Sequence, residues 1–83
     1  MFYKKNVLYS SLREVKQMDK LTEREITVLK LIMEGYANNQ ISKRIYISTH
    51  TVKAHIGSIM RKLNAKNRTN AVYIALKNNL LDL

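Results

Sequence analysis

The chain has 83 residues, a formal net charge of +9 and a hydrophobic fraction of 46%, which suits one small domain with a modest core. It has no Cys, two His and six acidic residues, so a disulfide framework, a thiolate metal site and a catalytic acid cluster are excluded. With no Pro and two Gly, we expect an all-α protein that is not an enzyme and binds no metal or cofactor.

Residues 1–20 are predicted to form an N-terminal arm or short helix that packs on the domain or on a second copy. Its apolar residues recur at helical spacing; they are Leu8, Leu12, Val15 and Met18. No run approaches the ~18 apolar residues of a membrane span, and the start is a poor signal peptide. We therefore expect a cytoplasmic protein without membrane contact.

Residues 21–83 are predicted to form the domain proper, and its first helix spans 21–35. Thr22 and Glu25 have the spacing of a capping box, and Gly35 is placed to end the helix in the left-handed conformation. The apolar stripe that we expect to be buried consists of Ile26, Leu29, Ile32 and Met33.

A short second helix follows at about 39–46, with Asn38 as its predicted N-cap. Ser48 is then placed to cap a third helix that runs to about Asn64. Two helices joined by so short a connection are typical of a helix-turn-helix motif. Asn67 is placed to cap a fourth helix over about 68–78, whose apolar side is predicted to consist of Ala71, Val72, Ala75 and Leu76.

The third helix has two contrasting faces. At ~100° per residue, its apolar residues share one arc, which must face the core; they are Val52, Ile56, Ile59 and Leu63. The opposite side is small and free of acids, and it carries His50, Ala54, Gly57 and Arg61, with Thr51, Lys53 and Ser58 on its flanks.

The charge distribution indicates a polyanionic partner. No Asp or Glu occurs from residue 35 to residue 81, while eight Lys and Arg do. A one-signed surface attracts a polyanion, although a basic surface that only aids solubility remains an alternative. Gly57 costs about 1 kcal/mol relative to Ala in a helix. It is either a neutral replacement on a solvent-exposed face or a site where another molecule comes close to the helix. DNA is such a molecule, because a helix just fits its ~12 Å major groove.

The chain resembles the LuxR-type (GerE-like) helix-turn-helix family of bacterial transcription regulators. The matching segments are LTEREITVLKLIMEG at 21–35, NNQIS at 38–42, ISTHTVKAHIGSIMRKL at 47–63, NRTNAV at 67–72 and NLL at 79–81. The resemblance implies a four-helix domain that binds double-stranded DNA through its third helix. It also implies a dimer on DNA.

The resemblance implies roles for particular residues. Bases would be read by Lys53, Ala54 and Gly57, supported by Thr51, Ser58 and His50. Phosphates would be bound by Asn38, Lys43, Ser48, Thr49, Arg61 and Lys62. The expected dimer contact is Tyr73, Ile74 and Lys77, although these residues also fit an ordinary amphipathic edge. Members of the family often carry a long polar residue where Gly57 stands, which puts direct readout there in doubt.

The predicted function is that of a sequence-specific transcription regulator that binds an operator or promoter as a homodimer, with RNA polymerase as a further candidate partner. We expect no small-molecule site in this chain, and a free-standing regulator rather than the C-terminal part of a larger one. One rival is a sigma-factor-like promoter-reading domain. Another is an interaction module or antagonist that pairs with a DNA-binding relative through helix four or the arm.

Overall fold

The computed structural model describes residues 20–81, which contain four α-helices and no strand. The helices are α1 (Glu23–Met33), α2 (Asn38–Ile45), α3 (Thr49–Leu63) and α4 (Arg68–Lys77). The all-α, four-helix prediction is confirmed. The predicted arm or short helix over 1–20 lies outside the described residues, apart from Lys20. None of the four helices is long and apolar enough to cross a membrane.

The predicted caps of α1 are confirmed. The Glu25 amide donates to the Thr22 hydroxyl at 3.0 Å, and the Thr22 amide donates to Glu25 Oε1 at 2.9 Å. These reciprocal bonds satisfy two amides that the first helical turn leaves without partners. Gly35 follows the helix with φ +97°, a conformation that favours glycine.

The start of α2 differs from the prediction. Its N-cap is Ala37, not Asn38, because the Gln40 side chain accepts the Ala37 amide at 2.8 Å. Asn38 is the first helical residue, and its Oδ1 accepts a 2.6 Å bond from the Arg68 guanidinium. The helix ends at Tyr46, which has φ 58° and is 92% exposed.

The ends of the two later helices are where the sequence places them. Ser48 is the N-cap of α3, and Asn64 ends that helix with φ 53°. The Asn67 side chain accepts from the Asn70 amide at 2.7 Å and so caps α4. Asn79 also has a positive φ, of 56°, which Asn tolerates better than most residues.

α3 is the centre of the fold, since each of the other three helices makes its most extensive contact with it. The core consists of Val28, Leu29, Ile41, Val52, Ile59, Leu63, Ala71, Ala75 and Leu81. The predicted stripe of α1 is partly wrong, because Val28 is fully buried while Ile26, Ile32 and Met33 are only half-buried. The core therefore fixes which face of α3 turns outward.

Candidate nucleic-acid interface

Hydroxyl groups organise the N-terminal end of α3. The Thr51 amide donates to Ser48 Oγ at 3.0 Å, and Ser48 Oγ donates to Thr51 Oγ1 at 2.9 Å. Ser48 is exposed, whereas Thr49 and Thr51 are half-buried. The first turn of a helix also carries a partial positive charge from its unpaired amides. This end of α3 therefore offers polar groups and a favourable potential to an anion.

The outward face of α3 is formed by residues that the structure leaves exposed. They are His50, Lys53, Ala54, Gly57 and Arg61, and we call this set the α3 face. The side-chain ammonium of Lys53 and the guanidinium of Arg61 make no hydrogen bond or ion pair with any other residue of the described part. The α3 face thus presents two free positive charges around a centre without bulk.

Packing within the described domain does not explain the glycine at position 57. A Cβ atom built there has no atom within 4 Å beyond the adjacent backbone of its own helix, and the backbone has no positive φ. Neither crowding nor backbone conformation within the domain explains why glycine stands in the middle of a 15-residue helix. The position is open to any body that approaches from outside.

Ser58 and Lys62, predicted as DNA contacts, lie on the flank of α3 that faces α1. Ser58 Oγ donates to Glu25 Oε2 at 2.6 Å, and Lys62 Nζ donates to Glu25 Oε1 at 2.9 Å. The Lys62 side chain is 15% exposed and also donates to the Lys20 carbonyl at 3.2 Å. The structure therefore does not bring these two residues onto the α3 face. The angular positions of Ser58 and Lys62 on the helix are compatible with contact to DNA or with contact to α1, so the sequence alone does not decide between them.

Glu25 is the one charged residue that is buried in the described part, with 4% exposure. Burial alone would raise the pKa of its carboxyl group, because desolvation disfavours the charged form. Hydrogen bonds from Lys62, Ser58 and the Thr22 amide outweigh that effect and lower the pKa to about 2. Glu25 is therefore ionised at neutral pH, and its charge is compensated inside the protein.

Two other predicted phosphate contacts lie on α2. Lys43 is exposed, as a phosphate ligand must be. Asn38 is half-buried, and its oxygen is already engaged with Arg68. Of the Asn38 side chain, the amide nitrogen Nδ2 remains to donate to an anion.

Of the three predicted dimer residues on α4, Tyr73 and Lys77 share an exposed surface, whereas Ile74 does not. Tyr73 is 59% exposed and Lys77 Nζ lies 5.9 Å from the centre of its ring, a favourable cation–π distance. Ile74 instead is half-buried and packs against the core. Leu76, predicted as part of the buried side of α4, is 44% exposed. The exposed apolar surface of α4 is therefore formed by Tyr73 and Leu76.

Sequence reasoning missed the link between Glu25 and α3. The residue was assigned only to the capping box, which uses one carboxylate oxygen. The signal for a second role was its position one turn before Val28 and Leu29, on the buried side of α1. A charged residue at such a position needs a buried partner, and Lys62 on the adjacent helix supplies it.

Comparison with known proteins gives a consistent result. The GerE family model, described as bacterial regulatory proteins of the luxR family, matches residues 19–75. The oxygen regulatory protein NreC of Staphylococcus carnosus is 45% identical over 75% of this chain and 29% of its own length. The transcriptional regulatory protein DegU of Brevibacillus brevis is 47% identical over 70% of this chain and 25% of its own.

Two further similarities extend this result. The nitrate/nitrite response regulator protein homolog of Haemophilus influenzae is 40% identical over 90% of this chain and 36% of its own length. The crystal structure of the response regulator ChrA of a heme-sensing two-component system superposes with a TM-score of 0.72 at 37% identity, over 75% of this chain and 31% of that one.

The chain spans about a quarter to a third of the length of these curated relatives. The family model covers more than half of the chain, and the fold agrees with the solved response regulator. The chain belongs to the luxR family of bacterial regulatory proteins and carries the helix-turn-helix DNA-binding domain of that family.

Proposed function

We propose that this protein is a sequence-specific transcription regulator that inserts α3 into the major groove of double-stranded DNA. The observation that carries the proposal is the α3 face: exposed, free of acids, and small at its centre. A groove ~12 Å wide just admits a helix, so side-chain bulk there would hold the backbone away from the bases. The described chain offers no internal reason for Gly57.

Within this face, Lys53 is the proposed donor to guanine O6 or N7. Ala54 is proposed to give apolar contact to a thymine methyl group, and His50 to reach bases beside it. Thr51 has its oxygen bonded to Ser48, which leaves its hydroxyl hydrogen free to donate to DNA. We leave Ser58 out of the base-reading set, because it is bonded to Glu25.

The phosphate contacts are proposed at the ends of α3 and on α2. Arg61 and Lys43 are exposed cations, and Ser48 and Thr49 lie at the positive end of the α3 dipole. Asn38 remains a candidate through its amide nitrogen. We leave Lys62 out, because its ammonium group is bonded to a carboxylate and a carbonyl.

We further propose that two copies bind DNA together through α4. Tyr73 and Leu76 are exposed apolar residues one turn apart, so they share a surface on one side of α4. Lys77 lies beside the aromatic ring. Exposed apolar side chains of this size on one helix are suited to contact with an identical surface across a twofold axis.

The test is selection of bound duplexes from a random pool, followed by measurement of the size of the complex on the selected duplexes. We expect one recurring sequence with two half-sites, bound by two chains. With roughly six phosphate contacts, log Kobs should fall with log[salt] with a slope near about −5. Recovery of no preferred sequence would overturn the proposal. A preferred sequence bound by one chain would overturn the dimer alone.

A further inference from the structure

Glu25 connects α1 to the flank of α3 beside the α3 face. One of its oxygens accepts from the Thr22 amide and from Lys62 Nζ, and the other accepts from Ser58 Oγ. These three bonds use both carboxylate oxygens of a group that is 4% exposed. Because its charge is compensated inside the protein, Glu25 can act on DNA binding only through the groups that it contacts.

We propose that Glu25 is a positioning residue for base reading: it fixes the rotation of α3 about its axis, and it withholds Lys62 from DNA phosphates. This inference rests on the function proposed above. It assigns to a residue that never touches DNA a part in choosing the sequence that is bound.

The geometry of the contacts supports the control of rotation. Ser58 and Lys62 are four residues apart on one flank of α3, each directly following a residue of the α3 face, Gly57 or Arg61. A rotation of α3 that moved the face would also lengthen the bonds to Glu25. The apolar contacts of the core fix which face of α3 turns outward, and the hydrogen bonds to Glu25 define its rotation more finely, because hydrogen bonds weaken steeply with distance and angle.

The contacts of the Lys62 ammonium group support the second part of the proposal, that Lys62 is kept from DNA phosphates. Its ammonium group lies 2.9 Å from Glu25 Oε1 and 3.2 Å from the Lys20 carbonyl oxygen. Without Glu25, this long side chain is free to extend towards solvent at the C-terminal end of α3. A lysine that contacts phosphate strengthens binding to every sequence equally, so release of Lys62 should steepen the salt dependence on a selected and a shuffled duplex alike, whereas a change in their affinity ratio reports the rotation of α3.

The test uses the full chain and its Glu25→Gln variant, with a duplex selected by the wild type and a shuffled duplex of equal length. Gln at this position retains the capping box but removes the charge that holds Lys62. We expect the affinity ratio between the two duplexes to fall at least ~5-fold, because the loss of one base contact has that effect. On the shuffled duplex, the slope of log Kobs against log[salt] should become steeper by about 0.9, because the released Lys62 adds one phosphate contact.

Two controls separate this effect from charge and from stability. Glu23→Gln removes an exposed acid from the same turn of α1, so it changes net charge equally and should leave the ratio and the slope at their wild-type values. Val28→Ala weakens the core without touching the contacts of Glu25. Measured where it is folded, it should also retain the wild-type ratio.

A double variant, Glu25→Gln with Lys62→Met, tests the second half of the proposal even if the single variant does not fold. Removing both partners of a buried ion pair leaves no uncompensated charge. We expect the salt slope to equal that of the wild type. A slope less steep by about 0.9 would mean that Lys62 binds phosphate in the wild type, and would overturn the proposal.

The remaining outcomes are distinct. If the wild type prefers its selected duplex and Glu25→Gln keeps the same ratio and slope, this inference is wrong while the proposed function stands. If the wild type itself does not distinguish the two duplexes, the proposed function fails, and this inference fails with it.

Discussion

At the scale of single residues, Gly57 is a residue of low helix propensity in a helix interior, and this points to function. Glycine in a helix interior loses more chain entropy on folding than alanine does. Since nothing in the described domain lies close enough to exclude a side chain, folding gives no reason for this glycine. Its absent side chain has a physical use only if another molecule comes close to the helix.

Substitution of Gly57 should therefore separate stability from binding. We expect Gly57→Ala and Gly57→Leu to raise the free energy of unfolding by roughly 0.5–1 kcal/mol, through helix propensity. Urea titration followed by circular dichroism measures this change. Gly57→Leu should weaken binding to a selected duplex, while Gly57→Ala, with one added methyl group, should weaken it less. Equal affinity of the wild type and Gly57→Leu would contradict close approach at this position.

Glu25 makes stability depend on pH in a defined direction. Its carboxyl pKa is lowered from 4.5 to about 2 in the folded protein, so the folded state binds this proton more weakly than the unfolded state. The stabilisation is complete above about pH 4.5 and is lost as the pH falls towards about 2. Between pH 7 and pH 3, the wild type should lose about 2 kcal/mol more than Glu25→Gln.

This comparison is made by urea unfolding at both pH values, with Glu23→Gln as the control. The exposed Glu23 side chain has no ion-pair partner in the described part of the chain, so this control should follow the wild type. If wild type and Glu25→Gln lost stability in parallel, the ionised carboxylate would not stabilise the fold.

At the scale of helices, the success of sequence reasoning followed the locality of each signal. Caps depend on residues three or four positions apart, so those at Thr22, Ser48 and Asn67 were readable directly. The cap of α2 is the exception, because Ala37 has no side-chain oxygen and the bond is made by the Gln40 side chain.

The buried side of α1 was not readable in this way, because Glu25 interrupts its apolar pattern one turn before Val28. A charged residue on a buried face is understood only when its partner is known, and Lys62 lies on a different helix.

Two other helical features also escaped prediction. The end of α2 lies where the sequence predicts it, at about residue 46, but the left-handed conformation of Tyr46, with φ 58°, was not predicted, because Gly or Asn is usual there. Leu76 has the spacing of a core residue, but α4 packs through Ala71 and Ala75 and leaves it exposed. For Leu76, the way in which α4 packs on its neighbours decides the outcome, and the local sequence does not.

The exposed apolar surface of α4 leads to a prediction at the same scale. We expect Tyr73→Lys together with Leu76→Lys to disrupt pairing of two copies by like-charge repulsion and loss of apolar contact. The domain should still fold, since both positions are exposed. On a selected duplex, analytical ultracentrifugation should then show one bound chain where the wild type shows two. Unchanged stoichiometry would exclude this surface as the dimer contact.

At the scale of the whole molecule, acidic and basic residues are segregated along the chain. The three acids of the described part, Glu23, Glu25 and Glu34, all lie in α1 or directly after it, and the buried one is neutralised by Lys62. The helix-turn-helix and α4 carry only cations. This asymmetry was visible in the sequence, whereas the pairing of Lys62 with Glu25 required the structure.

The central claim is that the α3 face reads bases, and Lys53 is its proposed principal donor. The most direct measurement compares the wild type with Lys53→Ala on a set of duplexes that carry each base-pair substitution of a selected site. We predict a loss of about 1–3 kcal/mol on the selected site, and relaxed preference at one base pair only. If both proteins bound every duplex in the set alike, α3 would not read bases through this residue, and the account would be contradicted.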